Sequence, residues 1–576
     1  MQQKLHMGDP GSLAQLFTDM SEEVNGSPLV LVRIAGSIIS SAVSAEGALT
    51  VLQQSGSLGK SNPITNGHSA WGFRHEIHAH LVERYLVEDS NQALPWSFYS
   101  IHRQLQSKIL RDLQSVSDQY QLTFDRAVAL ISRDFPAFPR FMTPNFSQWP
   151  SYEKLIAHVL KLHSVYRANE KSQGQDETPT EIPLVPSMAF AELLTSAGYY
   201  FYEVGLADSC VAVLETAEKI SHEFHTSYTA ETTMEGGQPP IYANSLKLET
   251  NAIAVSWGII EQAQGLTGAR KAMAKAKQVV TLREKHASLP GLSSGDRFES
   301  QVLLSNAYND IGAQMLHMHQ YAGAMDYLKK SLDLKRQLET QGHTIPAFEF
   351  AESTNNLAFA ALGQNLTEDA LKYSETAVDL IYKDGSQDSD ATRFTFSNGV
   401  TLFLNGQPQK ALDVMNEVYK NRKDTFGESG LQTRDASYAI SFIYYAQGCF
   451  EDASETIQGC FIKQAKGIWP AECLTRAKYL ESQILQTLGD ITEGKRKRDE
   501  ALQELDGYLS KIFPEAHAQK VERDTSACSS YATLMAADEA LRFDYVVPFF
   551  AGRFAMGKVA GSGSGKGYYP PLEDLE

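Results

Sequence analysis

The sequence has few cysteines, no excess of basic residues and no long apolar run, and each shortage excludes a class of protein. Its 576 residues include five cysteines, and no two of them have the C-x-x-C spacing of a metal or redox site. Such scattered cysteines are typical of reduced thiols in a cytoplasmic protein. The formal net charge of −18 argues against a nucleic-acid partner, because phosphate binding needs a basic surface.

The sequence also lacks a segment that could enter a membrane. The longest apolar run, Pro28–Val43, is interrupted by Arg33 and Gly36 and is too short and too polar to cross a bilayer. The first residues have neither the charged start nor the apolar core of a secretory signal, so we expect a cytoplasmic location. Strand-like alternation of apolar and polar residues is missing over any length, and we therefore predict an all-α chain.

What the sequence does contain is a repeat, from about Ser300 to Leu505. A small residue is followed by another twelve positions later and by a third seven positions further on, at intervals of 41 to 46 residues. The frames are Gly312/Ala324/Ser331, Ala358/Ala370/Ala377, Gly399/Ala411/Val418, Ser441/Ala453/Cys460 and Ser482/Gly494/Ala501. Because only small side chains let two helices of a hairpin approach closely, the frame predicts a helical solenoid.

Two weaker copies extend the repeat upstream, one with Gly198, Cys210 and Ala217 and one within Trp257–Val280. The pattern resembles the tetratricopeptide repeat, most closely in Tyr308–Gly312 and Tyr321–Tyr327. We predict a tetratricopeptide-like α-solenoid (superhelix) preceded by a mostly helical N-terminal domain. The predicted divisions are a helical domain over 1–170, a polar linker over 171–186, the superhelix over 187–540 and a C-terminal tail over 541–576.

Other short motifs resemble fungal NB-ARC ATPases of the STAND class that carry such repeats. Gly26–Gly36 is similar to the helix that closes their nucleotide-binding region, and Ser100–Gln106 to a histidine-containing motif after their winged helix. Trp149–Tyr166 and Phe543–Phe550 are similar to their connector and carboxyl end. The resemblance implies that residues 1–170 are a remnant of such a protein, with the repeat part retained.

The phosphate-binding loop of that family is missing from the sequence. A G-x-x-x-x-G-K-[ST] loop should lie well before Gly26, and it does not. Gly561–Gly567 contains a lysine after glycines, but Ala560 and Gly567 stand where the motif needs a glycine and a hydroxyl, so the stretch is typical of a Gly/Ser linker. We expect no bound nucleotide, no ATP hydrolysis and no cofactor.

Three places in the sequence carry potential metal ligands or a potential nucleophile. His75, His78 and His80 lie close together, but only the first two share a helical face, and H-E-x-x-H is not formed, so we predict no metal site. His317 and His319 lie two positions apart and so point to different sides of a helix, and we expect core or groove positions for them and no metal. Ser293 sits in a G-x-S-x-G string inside a loop, without the preceding strand that a nucleophile elbow needs.

The concave face of the superhelix is the candidate site. In the repeat that this chain resembles, positions 2, 5, 9 and 12 of each first helix line that face. Nine of the twenty-four corresponding positions in six repeats are aromatic, which is far above the 10% of the whole chain and indicates a binding surface. The candidate ligand-binding residues are Tyr199, Tyr202, Asn309, Asn355, Phe359, Arg393, Phe396, Phe403, Tyr438, Phe442, Tyr445 and Tyr479.

Three functions remain open at this point. The first is a non-enzymatic interaction module whose groove binds an apolar small molecule or an extended protein segment, with no nucleic acid, nucleotide or membrane as partner. The second is a cofactor-independent cyclase of fungal specialised metabolism, a pericyclase (Diels–Alderase-like) that folds an apolar terpenoid or polyketide against the aromatic wall. The third is a self-associating regulatory fragment of a STAND protein.

Overall fold

A computed structural model describes residues 117–141, 148–173, 183–231, 240–383, 389–462, 469–519, 529–555 and 569–572. The motifs at Gly26–Gly36 and Ser100–Gln106, and the histidines at 75, 78 and 80, lie outside the described residues. The chain divides into two compact units, and of the described residues 117–124, 168–173 and 183–184 belong to the first and the others to the second. The domain boundaries predicted from the sequence stay a prediction.

All regular structure in these ranges is helical, which confirms the all-α fold; no described residue lies in a β-strand. The helices are α1 Ser117–Asp134, α2 Trp149–Gln173, α3 Met188–Glu203, α4 Ala207–Glu231, α5 Pro240–Gln264, α6 Ala269–Ala287, α7 Ser294–His317, α8 Tyr321–Thr340, α9 Ala347–Gly363, α10 Thr367–Lys383, α11 Ser389–Leu404, α12 Pro408–Phe426, α13 Leu431–Gln447, α14 Phe450–Ile457, α15 Ala471–Thr487, α16 Ile491–Ile512, α17 Pro514–Gln519, α18 Ser529–Ala536 and α19 Glu539–Val546. None of these helices has the length and apolar character needed to cross a membrane.

Helices α3 to α16 form seven successive hairpins, each of which packs on the next. The small-residue frame lies where the two helices of a hairpin touch. A Cβ atom on Gly312 would come within 2.7 Å of Leu328 on the second helix, and one on Gly198 would come within 2.4 Å of Leu214. The hydroxyl of Ser441 donates to the carbonyl oxygen of Ala453 at 2.8 Å. The tetratricopeptide-like superhelix predicted from this frame is therefore confirmed.

Local signals in the sequence set the ends of these helices. The side chain of Ser187 accepts a hydrogen bond from a backbone amide in the first turn of α3, and Asp490 does the same for α16. Ser293, which matched the nucleophile string, is the N-cap of α7. Gly448 ends α13 with a φ of 81°, a left-handed conformation that glycine adopts without a steric penalty.

Replacing Gly312 with leucine should lower the free energy of unfolding by about 1–3 kcal/mol or more, because the new side chain must displace Leu328 or push α7 and α8 apart. Gly507→Ala in α16 is the matched control. That position is exposed and a Cβ there meets no atom within 4 Å, so alanine should stabilise the helix by about 0.5–1 kcal/mol. Urea denaturation measures both changes, and a Gly312→Leu protein as stable as the parent would contradict the packing assigned to the frame.

The main hydrophobic core joins the middle of the solenoid to the end of the chain. Leu328 and Leu362 from hairpins 3 and 4 share one cluster of buried residues with Leu505 of α16 and with Phe543 and Tyr569. The part of the predicted tail that the structure describes is therefore buried against the repeats. The chain itself therefore supplies side chains that pack against the repeats.

Candidate binding groove

Positions predicted to be concave in five successive hairpins contact one stretch near the carboxyl end, Glu539–Ala555, which we call the carboxyl segment. It begins with α19, whose N-terminus is capped by Asp538 through the amide of Ala540 at 2.8 Å. After Pro548 it makes a single 3-10 turn and then extends through Arg553 to Ala555. Most of its side chains are buried.

An aromatic cluster holds the end of the carboxyl segment. The ring of Phe554, which is completely buried, lies among three candidate residues. Its centroid is 5.4 Å from that of Phe442, 5.8 Å from that of Phe403 and 6.1 Å from that of Tyr438. The structure thus brings together three side chains that the sequence predicted to line one apolar site, and a phenylalanine of the same chain fills the space between them.

Arg476, at a concave position of α15, is the polar centre of this contact. Its guanidinium pairs with Asp544 at 2.9 Å, and both side chains are almost completely buried. It donates to the backbone carbonyl oxygens of Ala551, at 3.2 Å, and of Gly552, and it lies 3.9 Å from the centroid of the Tyr438 ring. Burial acts to lower the pKa of Arg476, but Tyr438 and Asp544 raise it above its usual value, so the charge is retained.

A second polar contact fixes the other side of the carboxyl segment. Arg553 donates to the carbonyl oxygen of Leu316 at 3.1 Å and to Nδ1 of His319 at 3.0 Å. Because an arginine can only donate, Nδ1 of His319 accepts, and its Nε2–H donates to the carbonyl oxygen of Tyr545 at 3.0 Å. Burial and the neighbouring Arg553 lower the pKa of His319 well below its usual value, which keeps the imidazole neutral.

Two further candidate residues lie against the carboxyl segment. Phe359 packs edge-on to Phe549, with ring centroids 5.1 Å apart. Tyr479 stacks on Phe543 at 4.3 Å, and burial raises the pKa of its hydroxyl. The first helices of hairpins 3 to 7, which are α7, α9, α11, α13 and α15, therefore all contact the carboxyl segment.

The remaining candidates of hairpins 3 to 6 contact neighbouring helices. Arg393 pairs with Glu352 at 3.2 Å, and the guanidinium of Arg422 lies 4.5 Å from the ring centroid of Phe396. Tyr445 packs against Phe450 at 5.6 Å. Asn309 accepts a hydrogen bond from Asn356 at 3.2 Å, and the amide oxygen of Asn355 is buried without a hydrogen-bond partner.

Tyr199 and Tyr202 belong to a different aromatic cluster, at the start of the solenoid. Their ring centroids are 6.4 Å apart, and Phe138 packs edge-on to Tyr199 at 5.5 Å. A cavity of about 270 Å³ next to Tyr199 is lined also by Tyr152 and Glu203. Burial, together with the Glu203 carboxylate, raises the pKa of Tyr152 to about 12. The cavity is smaller than most small-molecule sites, which have roughly 300–1,000 Å³.

Sequence reasoning missed the groups that the carboxyl segment contributes, namely Asp544, Arg553 and Phe554. One signal was available, because Phe543–Phe550 is an almost uninterrupted apolar and aromatic stretch that would be costly to leave in water. Its resemblance to the carboxyl end of STAND proteins implies no packing partner. Nothing in the local pattern indicated that its partner would be the concave face.

No protein-family model matches the chain, and no curated protein matches it. Among solved structures it is similar to a Rap protein complexed with competence and sporulation factor, at 13% identity and a TM-score of 0.39 over 64% of this chain and 98% of that one. The Rap conjugation gene regulator of plasmid pLS20, in complex with the Phr* peptide, gives 13% and 0.38 over 66% and 99%.

The repeats of a putative kinesin light chain from Podosopora anserina, described as TPR-like, match 36% of this chain and 91% of theirs, with 19% identity and a TM-score of 0.26. All of these TM-scores are low. The seven hairpins and their small-residue frame make the chain a tetratricopeptide-like helical repeat protein.

Proposed function

We propose that the superhelix is a non-enzymatic binding module whose concave groove takes an aromatic-bearing protein segment. The supporting observation is that such a segment, Glu539–Ala555 of the same chain, already lies against five hairpins, with α19 and one 3-10 turn followed by a short extended end. We propose further that it is a resident occupant, which a partner segment of similar chemistry replaces. Derivation from a fungal STAND protein, with the repeats retained, is part of the same proposal.

The contacts favour a polypeptide over an apolar small molecule as the ligand. Arg476 donates to two consecutive backbone carbonyls, those of Ala551 and Gly552. His319 of the repeats donates to the backbone carbonyl of Tyr545 in the segment. Arg553 of the segment in turn donates to the backbone carbonyl of Leu316 in the repeats. These donors contact main-chain carbonyls and so recognise a polypeptide whatever its side chains, and the aromatic pocket around Phe554 adds preference for a side chain.

The cyclase alternative relies on the same aromatic side chains. Phe403, Tyr438 and Phe442 surround a phenylalanine ring in the structure, and an aromatic protein side chain is therefore the occupant whose fit is supported. No specific observation favours a terpenoid or polyketide, and we do not extend the proposal to catalysis.

A labelled peptide with the sequence of residues 539–555 tests the proposal on the full-length chain. The parent protein should bind it weakly, because the resident segment competes at an effective concentration in the millimolar range. Phe554→Ala in the chain weakens the resident segment and leaves the groove intact. The peptide, which keeps its phenylalanine, should then bind at least tenfold more tightly in a fluorescence-anisotropy titration below the melting temperature.

Two controls separate groove binding from adhesion to a loosened protein. Adding Arg476→Met to the Phe554→Ala chain removes the guanidinium that binds the backbone carbonyls. The peptide should then bind no more tightly than it binds the parent protein. A peptide with alanine in place of its own Phe554 should bind the Phe554→Ala chain as weakly as the intact peptide binds the parent. If the peptide binds all of these proteins equally, or does not bind the Phe554→Ala chain, the proposal that a partner replaces the carboxyl segment is wrong.

A further inference from the structure

Three potential metal ligands meet between the first and second hairpins, remote in sequence from the carboxyl segment. His222 and His225 lie one turn apart on α4 and so share a face of that helix, and Glu249 lies opposite on α5. Nδ1 of His222 is 2.9 Å from Oε1 of Glu249, and Nδ1 of His225 is 2.5 Å from Oε2. The three donor groups lie within 4.8 Å of one another.

Two buried atoms of this group meet at short range. Nδ1 of His225 and Oε2 of Glu249 are fully buried and face each other at 2.5 Å without the alignment of a good hydrogen bond. Buried polar atoms are rarely left in this state, and each such case calls for an explanation. A cation that both atoms could approach would supply one.

We propose that His222, His225 and Glu249 form a binding site for a divalent ion of the zinc class. Two imidazole nitrogens and one carboxylate are a donor set that Zn²⁺ accepts, with a fourth position open to water. The proposal departs from the sequence-based expectation of no metal site and is independent of the function proposed for the groove.

The geometry needs only a small adjustment to accept an ion. Zinc-to-nitrogen and zinc-to-oxygen distances of about 2.0–2.2 Å place two ligand atoms roughly 3.0–3.5 Å apart. The two nitrogen–oxygen distances are 2.9 and 2.5 Å, so modest rotation of the Glu249 carboxylate and the His225 ring would be enough. His222 is exposed and Glu249 is buried, which leaves the open position on the solvent side.

The charged and aromatic surroundings act in both directions. The Glu249 carboxylate brings a negative charge next to both imidazoles, which favours a bound cation. Tyr242 packs edge-on to His225 at 6.0 Å. The ammonium of Lys285 lies 5.6 Å from the centroid of the Tyr242 ring, and its charge opposes a second cation nearby.

An ion at this place would tie neighbouring repeats together. The two histidines belong to the second helix of hairpin 1, and the glutamate belongs to the first helix of hairpin 2. The proposed role is therefore a clip between repeats, whose binding free energy adds to the stability of the folded chain.

Titration of the metal-stripped full-length chain with Zn²⁺ tests the site. We expect one equivalent to bind in the micromolar range or tighter, with a rise of several degrees in melting temperature. Co²⁺ in place of Zn²⁺ should give the visible absorption of a four-coordinate site. Glu249→Gln should weaken binding by roughly 100-fold, since loss of even an outer partner of a ligand costs about 10–100-fold.

Three further variants keep the test decisive. His222→Gln alters an exposed side chain, so it should fold normally and still lose Zn²⁺ affinity, even if Glu249→Gln is unstable. Lys285→Met removes the opposing charge and should tighten binding severalfold. The triple variant His75→Ala/His78→Ala/His80→Ala should bind like the parent. Retention of full affinity by His222→Gln and Glu249→Gln, or absence of binding by the parent, would overturn the proposal.

Discussion

Replacing Asp544 with alanine should lower the free energy of unfolding by about 3–5 kcal/mol, which is the usual cost of breaking a buried ion pair by removing one partner. The substitution leaves the Arg476 guanidinium buried without its counter-ion. It also removes the acceptor of two hydrogen bonds within the carboxyl region, from the backbone amide of Ala555 at 2.5 Å and from the hydroxyl of Tyr569 at 3.4 Å. Urea denaturation, compared at equal m-values, gives the change directly.

Two comparisons show whether burial is the reason for that loss. Arg496→Ala breaks exposed ion pairs with Glu493 and Glu500 and should cost far less than the buried pair, because water screens exposed charges. The double variant Arg476→Met/Asp544→Leu replaces both buried charges with apolar groups and should recover part of the stability that Asp544→Ala loses. If Asp544→Ala unfolds at the same urea concentration as Arg496→Ala, the carboxyl segment is not held in the groove in solution.

Phe554→Ala should also cost about 3–5 kcal/mol in the free energy of unfolding, because it leaves a cavity among Phe403, Tyr438 and Phe442. The neighbouring Phe550 is the matched control. It belongs to the same segment but is 41% exposed, so its replacement with alanine should change stability much less, within about 0.5–1 kcal/mol. Thermal and urea unfolding of the two variants should therefore separate clearly.

Equal losses for Phe550→Ala and Phe554→Ala would mean that the segment contributes through general hydrophobic cover and not through the aromatic cluster. No loss for either would place Phe554 outside the groove of the folded protein. A large loss of stability for Phe554→Ala alone would support the packing of Phe554 in the aromatic cluster. The same variant would then have the weakened carboxyl segment that the peptide titration needs.

The fold could be predicted from sequence because its determinants are local. A frame such as Gly312, Ala324 and Ser331 reports contacts between two helices that follow one another in the chain, and close packing there tolerates only small side chains. The resemblance to a known repeat then predicted that positions such as Tyr438 and Phe442 line the concave face, and in the structure both contact Phe554 of the carboxyl segment. That the residues line a ligand site stays a prediction.

The occupant of the groove could not be predicted in the same way. Arg476 meets Gly552 across 76 positions, and Arg553 meets Leu316 across 237. Contacts over such distances leave no period in the sequence. The same holds for Glu249, which lies on a different helix from His222 and His225, whereas the spacing of the two histidines alone is common on ordinary helices.

The late position of Phe554 in the chain has a consequence for protein synthesis. It follows Phe403 by 151 residues, and at roughly 5–20 residues per second a ribosome needs about 8–30 s to make that stretch. During this time Phe554 has not been synthesised and cannot pack against Phe403, Tyr438 and Phe442. The aromatic surfaces of these hairpins therefore remain open to water, chaperones and other nascent chains. Translation must therefore pass Phe554 before the protein can bury this aromatic cluster.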